Sequence, residues 1–263
     1  MKVGVQVNNI GRQNNSIFSE HLKMSEIKTL VNFDLEAAGL KNSGRPRISE
    51  ISLVAVNIED VLELHSQLIS HLPGYRNKIE SMLPRVMNKL TVCVYPMSII
   101  RPEVSEITGL DNYNLSGQST FDRNTAMLIN NFLACLPAPL CLVAHNGDLY
   151  DFPLLKAELE KVEITLLSKT LCADSNVGIK EIFKRTNLGS PTSYSLINLH
   201  KHLLGCYPKQ SHGVEADCLT LLRTTAVLGR DWVKWVQNSC HLFSNCKQMW
   251  SLKNSNHNAI YQL

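Results

Sequence analysis

The chain has 263 residues, of which 44% are hydrophobic and 19% charged, and its formal net charge at pH 7 is +3. This hydrophobic fraction is enough for a globular protein with a sizeable core, in one large domain or two small ones. The small positive charge permits a polyanionic partner but excludes the long basic runs of tail-driven nucleic-acid binders. Apolar runs all fall short of the about 18 residues that a membrane span needs, so we expect a soluble chain without membrane contact.

Three strands are predicted first along the chain. The run VNFDLEAAGL, from Val31 to Leu40, has strand alternation, and RISEISLVAVNI and LTVCVYP follow as β-branched segments. Short connections favour an antiparallel meander of these strands. The polar stretch from 59 to 88 is then a long connection between the last two strands, and we expect it to be mobile.

Helices and strands alternate in the rest of the chain. Asp151 is a candidate N-cap for a helix, because a proline and helically spaced leucines follow it. The order of elements predicts an α/β fold, with helices packed on a mixed sheet. The further predicted elements are a helical turn at 105–108, helices at 119–135, 176–185, 195–204 and 214–228, and strands in LCLVAHN and TLLSKTLCAD.

The cysteines and the chain ends bear on the cellular location and the domain boundaries. The eight cysteines lack C-x-x-C spacing and mostly lie in apolar segments, so we interpret them as reduced core residues rather than zinc ligands or disulfides. Reduced cysteines predict an intracellular protein of the cytoplasm, the nucleus or both. Residues 1–29 have neither a signal-peptide core nor an Arg-rich transit helix. We therefore expect a flexible extension at 1–29, a single domain at 30–243 and a short polar tail at 244–263.

Acidic residues stand beside apolar segments at three places. Asp34 and Glu36 are two residues apart in the first strand, so both side chains point to one face, with Cα atoms roughly 6.6 Å apart. A cation between them would offset their repulsion, whereas a solvated edge strand is the alternative. Asp151 and Asp217 each adjoin an apolar helix, where a helix cap or an ordinary solvated charge is the alternative. His212 precedes Asp217, and Gly213 allows His212 to lie in the loop before that helix.

Three segments resemble the exonuclease motifs of the DnaQ-like, DEDDh superfamily: NFDLEAAGL, LVAHNGDLYDFPLL and HGVEAD, in that order. The segments SEITGL, CLVAHNGDLYDFPLLKAEL and SYSL are further similar to the TREX family of three-prime repair exonucleases. The likeness runs from about Val31 to about Leu242. It implies a ribonuclease-H-like fold, in which an antiparallel meander and parallel strands form one mixed sheet flanked by helices.

The resemblance implies a metal-dependent 3′-to-5′ exodeoxyribonuclease that releases nucleoside 5′-monophosphates from single-stranded DNA or frayed 3′ ends. Asp34, Glu36, Asp151 and Asp217 would hold two Mg²⁺ ions, for which Mn²⁺ could substitute, because hard cations prefer oxygen ligands. His212 would take a proton from the attacking water, which suits its unperturbed pKa of about 6.5. An exoribonuclease is the alternative enzyme, since the metal site does not distinguish the sugars. An inactive nucleic-acid-binding module is a further alternative, against which the five intact positions speak.

The resemblance also implies substrate contacts, for which plain core packing is the alternative. Apolar side chains would surround the terminal nucleotide, a backbone amide would contact the 3′ end, and one amide side chain would approach the substrate. His145 is interpreted as a structural histidine beside them. The implied substrate-binding residues are Ala37, Leu40, Ile107, Asn146 and Tyr150.

Two positions depart from the family pattern. Ala38 stands where the family usually has threonine, which removes a hydroxyl near the 3′ nucleotide. Leu149 stands where mammalian members have arginine, which removes a cation close to DNA. We expect phosphate binding to be weaker, or to be supplied by Lys184, Arg185 or the turn around Arg45 and Arg47 instead.

The strand LTVCVYP is apolar on both faces and is expected at the sheet edge as the third strand of the meander. The TREX resemblance implies a homodimer in which this edge pairs with its copy across a two-fold axis. Proline at Val92 or Val94 is expected to disrupt this dimer. A monomer, with the edge covered by the connection 59–88, is the alternative.

Overall fold

The computed structural model describes residues 26–39, 45–71, 79, 81–209 and 213–250. Their centre is a six-stranded sheet with the order β3-β2-β1-β4-β5-β6. The first three strands pair antiparallel, β4 and β5 join them in parallel, and β6 returns antiparallel. The predicted ribonuclease-H-like mixed sheet is thereby confirmed. The strands are β1 (Thr29–Ala38), β2 (Arg47–Asn57), β3 (Asn88–Cys93), β4 (Leu140–Ala144), β5 (Leu171–Asp174) and β6 (His241–Leu242).

Helices cover both faces of the sheet. On one face, Phe33 of β1 packs in a core that includes Phe152 and Ile129, and on the other Val143 of β4 packs in a core that includes Trp232 and Leu64. The alternation of strand side chains assigns neighbouring residues of each strand to the two cores. Within the described ranges the helices are α1 (Ile58–His71), α2 (Pro102–Thr108), α3 (Arg123–Ala134), α4 (Asp151–Lys161), α5 (Ser175–Arg185), α6 (Leu196–Leu204), α7 (Val214–Ala226) and α8 (Gly229–Ser239), with a 3₁₀ turn at Phe243–Asn245.

Several elements differ from the sequence-based expectation. The stretch after β2 does not begin as a mobile connection, because α1 follows β2 at once. Its apolar side chains Val61, Leu64 and Leu68 recur at helical spacing and are buried, but the polar residues between them hid this pattern. The strand predicted in TLLSKTLCAD is confined to Leu171–Asp174. The helix predicted at 214–228 ends at Ala226, and α8 follows as an additional helix.

The beginning of α4 also corrects a prediction. Tyr150 occupies the N-cap position, without a side-chain capping bond, and Asp151 is the first residue of the helix. Because Asp151 does not cap α4, its carboxylate is available for other partners.

In the described sheet β3 is an edge strand, which pairs with β2 on one side and has no strand on the other. The amide of Val94 donates to the carbonyl of Ser49, 2.9 Å away. Since amides alternate in direction along a strand, Val92 also points toward β2, whereas the amides of Thr91 and Cys93 point to the open edge. The choice of Val92 or Val94 as proline positions facing a partner was therefore wrong.

The last described residues pack against the domain. The amide of Met249 donates to the carbonyl of Pro153 at 2.9 Å, and the indole nitrogen of Trp250 donates to the carbonyl of Pro46 at 3.1 Å. The domain boundaries given above stay a prediction. None of the helices in the described ranges combines the length and apolar character that crossing a membrane requires.

Candidate active site

The central strand β1 presents two acids on one face, as its alternation predicts. Asp34 lies opposite Ser52 and Glu36 opposite Glu50 in the pairing with β2, and a β-bulge follows Glu36. Both acids are partly buried. The helix α7 packs against this face of β1 and β2. The two carboxylates therefore lie between the sheet and a helix, with limited access to water.

Asp151 reaches the same place from α4 because β1 extends beyond β4. The parallel pairing of β1 with β4 ends at Asn32 and Val143, so the next part of β1 has no strand on that side. There the backbone amide of Leu35 donates to the buried carboxylate of Asp151. Phe33 and Phe152 stack with ring centroids 6.0 Å apart and fix the beginning of α4 against β1.

Asp217 comes from the first turn of α7. Gly213 is the N-cap residue, and its carbonyl accepts the amide of Asp217 at 2.9 Å. Val214 and Cys218 are buried on the inward side of this helix, which sets its rotation. Asp217 lies close enough to Asp34 and Glu36 to perturb both carboxyl groups.

The electrostatics show that the acids form one cluster. Burial raises the pKa of Asp34 well above its usual value, and the charges of Asp151, Asp217 and Glu36 raise it further. Burial, followed by Asp217 and Glu50, raises the pKa of Glu36 to about 7. Burial also raises the pKa of Asp151 to about 8, although the amides of Asp151 and Leu35 lower it. Protons or a cation must offset this repulsion.

Comparisons with known proteins identify the family of this chain. Three-prime repair exonuclease 1 of Bos taurus is 37% identical over 243 residues, which cover 90% of this chain and 75% of that protein. Three prime repair exonuclease 2 of Mus musculus is 32% identical over 229 residues, which cover 85% of this chain and 93% of that protein. The chain belongs to the three-prime repair exonuclease family. The predicted family and the enzyme class, a 3′ exonuclease, are confirmed.

Solved structures share the fold of this family member at low sequence identity. Cell-death related nuclease 4 superposes with a TM-score of 0.58 at 10% identity, over 82% of this chain and 66% of that one. The nuclease domain of 3′hExo, described as a DEDDh family member bound to rAMP, superposes with a TM-score of 0.54 at 13% identity, over 83% and 96% of the two chains. No protein-family model matches the chain.

The predicted substrate residues of this exonuclease lie at different distances from the acids. Burial raises the pKa of Tyr150 to about 12, and Asp151 and Glu36 add to the rise, so its hydroxyl lies near the cluster. Ala37 is buried directly beyond Glu36. Ile107 is 56% exposed near the end of α2, where its side chain is accessible to a ligand. Leu40 and the predicted general base His212 lie outside the described residues.

The loop before Asp151 is held by Asp174, a residue that the sequence analysis did not single out. Its carboxylate accepts the amides of Asn146 at 3.1 Å and Asp148 at 3.3 Å, as well as the amide of Asn176 at the start of α5. Asn146 has the left-handed backbone angle φ 61°, and its side-chain oxygen accepts a hydrogen bond from Asn176. The sequence feature that could have identified Asp174 is its position as an acid at the end of the strand-like run LCAD.

His145 is a structural residue of the same loop. Its Nε2 donates to the carbonyl of Tyr194 and its Nδ1 accepts from the hydroxyl of Ser175, both at 2.9 Å. Burial lowers its pKa, which favours the neutral ring.

Glu50 is a second residue that sequence reasoning missed. It lies opposite Glu36, and its carboxylate accepts hydrogen bonds from the amide of Val214 and, at 3.5 Å, from the thiol of Cys93. The bond to Val214 ties the beginning of α7 to β2, and thus positions Asp217 one turn later. The sequence feature that could have identified Glu50 is an acid among the β-branched residues of the predicted second strand.

Two of the basic residues that were expected to contact phosphate form ion pairs within the domain. Arg47 is held by the fully buried Glu158, with Nε–Oε1 and Nη2–Oε2 distances of 2.5 and 3.0 Å. Arg185 lies 3.4 Å from Glu181 on α5. Leu149 is 68% exposed at the position where we noted the loss of an arginine. The guanidinium of Arg47 is therefore engaged by a carboxylate within the domain.

Proposed function

We propose that the chain is a divalent-metal-dependent 3′-to-5′ exodeoxyribonuclease that releases nucleoside 5′-monophosphates from single-stranded DNA or frayed 3′ ends. The observation that carries this proposal is the convergence of Asp34, Glu36, Asp151 and Asp217, whose mutual influence appears in the raised pKa values. The curated relatives named three-prime repair exonucleases support the same activity.

The donor set fits divalent metal ions. It consists of carboxylate oxygens, which suit Mg²⁺ and Mn²⁺ better than softer ions. The repulsion within the cluster favours a cation over four bare charges. Asp34 and Glu36 would hold the ions from β1, Asp151 from α4 and Asp217 from α7. Bound Mg²⁺, as a pair of ions, would stabilise negative charge on the attacking and leaving oxygens of the phosphodiester.

The remaining residues would position the substrate and the proton acceptor. We assign His212 as the general base that takes the proton of the attacking water, because a histidine of ordinary pKa serves this role at neutral pH. His212 directly precedes Gly213, the N-cap residue of α7, and Asp217 lies in the first turn of this helix, which supports the assignment. Tyr150 and Ala37 adjoin the acids and would contact the terminal nucleotide. We assign Leu40, Ile107 and Asn146 as further substrate contacts.

The decisive experiment is digestion of end-labelled single-stranded DNA and of RNA with the same sequence, with Mg²⁺ or with EDTA. We expect stepwise release of mononucleotides from the 3′ end of DNA, only with the ion. Asp34→Asn should reduce the rate at least about 10²-fold, because it removes a charge that stabilises the transition state. Asp231→Asn, at an exposed acid of α8, is the matched control and should leave the rate unchanged.

Other outcomes would replace the proposal. Faster digestion of RNA than of DNA would support the exoribonuclease. Tight DNA binding without hydrolysis at saturating Mg²⁺ or Mn²⁺ would support a binding module. Normal activity of Asp34→Asn would contradict the assignment of the site.

We further propose a homodimer through the edge of β3. The exposed residues of this strand and its outward-pointing amides support pairing with a second copy. The antiparallel arrangement about a two-fold axis would make the two sheets continuous. The intracellular location stays a prediction.

A further inference from the structure

Two cysteines and a histidine that are far apart in the sequence meet at the β5–β6 edge of the sheet. Cys172 lies on β5, His241 on β6, and Cys246 directly after the 3₁₀ turn. The two Sγ atoms are 3.4 Å apart, and Cys172 Sγ is 3.4 Å from His241 Nδ1. All three potential donor atoms lie within 4.8 Å of one another. The sequence spacing gave no metal motif, because the ligands come from two strands and a following turn.

These distances match the requirements of tetrahedral zinc. With bond lengths of about 2.3 Å to sulfur and 2.0 Å to nitrogen, two sulfurs on one Zn²⁺ lie about 3.8 Å apart, and a sulfur and a nitrogen about 3.5 Å apart. The observed separations of 3.4 Å between the two sulfurs and 3.4 Å between Cys172 Sγ and His241 Nδ1 are within about 0.4 Å of these values. Two thiolates and an imidazole also form a softer donor set than the four carboxylates of the candidate active site.

The surroundings hold the ligands in place. Lys156 of α4 donates to the carbonyl of Cys246, and the amide of Cys246 donates to the carbonyl of Phe243 at 3.0 Å. Cys172 and Cys246 are buried, whereas His241 is partly exposed to solvent.

The other ring nitrogen of His241 has an acidic partner. Its Nε2 lies 3.1 Å from Asp148 Oδ1, so that Nδ1 is the nitrogen directed to the sulfurs. A carboxylate bound to the far nitrogen of a metal-binding histidine fixes the ring and its tautomer. Asp148 is part of the loop that leads to Asp151.

We propose that Cys172, His241 and Cys246 bind one structural Zn²⁺, with water in the fourth position and Asp148 orienting the histidine. The ion joins the segment after α8 to β5 and, through Asp148, to the loop before Asp151. It acts as a cross-link between the end of the described chain and the domain. This site is independent of the exonuclease proposal, since none of its ligands belongs to the acidic cluster.

The test uses the full chain purified without chelator and dialysed against excess Mg²⁺. Elemental mass spectrometry should find one zinc per chain. Replacement by Co²⁺ should give the thiolate charge-transfer band and the visible bands of a tetrahedral ion. His241→Gln and Cys246→Ser should each lose both the zinc and the Co²⁺ bands. Because His241 is partly exposed, its substitution is less disruptive to folding than that of the buried Cys246. Loss of both signals in His241→Gln therefore cannot be ascribed to misfolding of the cysteine variant.

Two variants serve as controls. Cys240→Ser removes the thiol adjacent to His241 and should retain zinc. Asp34→Asn should also retain the Co²⁺–thiolate band, which separates this site from the acidic cluster. Asp148→Asn should bind zinc about 10- to 100-fold more weakly in competition with a chelator, because the histidine loses its orienting partner.

Three results would overturn the proposal. The first is a chain without zinc in which peptide mapping shows a Cys172–Cys246 disulfide, which would make the pair a redox couple. The second is a chain that has free thiols and does not bind added Zn²⁺. The third is unchanged zinc binding in His241→Gln and Cys246→Ser.

Discussion

Glu36→Gln should stabilise the metal-free protein while it removes exonuclease activity. The rise in the pKa of Glu36 from 4.5 to about 7 means that its ionised form is disfavoured in the folded state. At about 1.4 kcal/mol for each pKa unit, the cost is about 3 kcal/mol, which we reduce to about 2–3 kcal/mol because Glu36 is partly exposed to solvent. Since a raised pKa favours the protonated folded state, this cost is absent below pH 4.5 and grows as the pH rises to about 7.

Urea unfolding followed by circular dichroism in EDTA measures this difference. We expect the variant to have a larger free energy of unfolding than the unmodified chain by about 2–3 kcal/mol at pH 8, and by almost nothing at pH 4.5. Saturating Mg²⁺ should reduce or reverse the gain, because only the intact carboxylate cluster binds the ion fully. Glu160→Gln, at an exposed acid of α4, is the control and should change neither value. A variant no more stable than the unmodified chain at pH 8 in EDTA would refute the electrostatic argument.

Three further perturbations test the base, the dimer and the core. His212→Ala should lower turnover by about 10² to 10⁴ with DNA binding retained, and single-turnover kinetics with a separate binding titration would expose a pure binding defect. Thr91→Pro should convert the proposed dimer to a monomer in light scattering while Thr91→Ala leaves it dimeric; a dimeric proline variant would contradict pairing at this edge. Glu158→Ala should cost about 3 kcal/mol in urea unfolding, because it leaves the partly buried guanidinium of Arg47 without its carboxylate partner, and a loss below about 1 kcal/mol would show that water replaces the partner.

The sequence was sufficient for the parts of the fold that depend on local pattern. Alternation in β1 predicted that Asp34 and Glu36 share a face, and the structure places both toward α7. The positions of Asp151 and Asp217 beside apolar helices likewise followed from spacing. Their roles as metal ligands stay a prediction.

What the sequence did not reveal depends on contacts between distant segments. The hydrogen bond from the Leu35 amide to Asp151 exists because β1 extends beyond the end of β4. The sequence of either strand alone does not show how far it extends past its neighbour. The outward direction of the Thr91 amide depends on the register between β2 and β3. The meeting of Cys172 with Cys246 likewise requires the antiparallel return of β6.

The distribution of the acidic cluster along the chain has a consequence for biosynthesis. Asp34 and Glu36 emerge early on β1, whereas Asp217 belongs to α7 near the end of the domain. Because segments leave the ribosome in order, the β1–β2 hairpin can form long before α7 can dock on it. A growing chain consequently lacks a complete set of carboxylates until nearly all of the domain has been made. A product that terminates before α7 therefore lacks Asp217, even when its first strands have folded correctly.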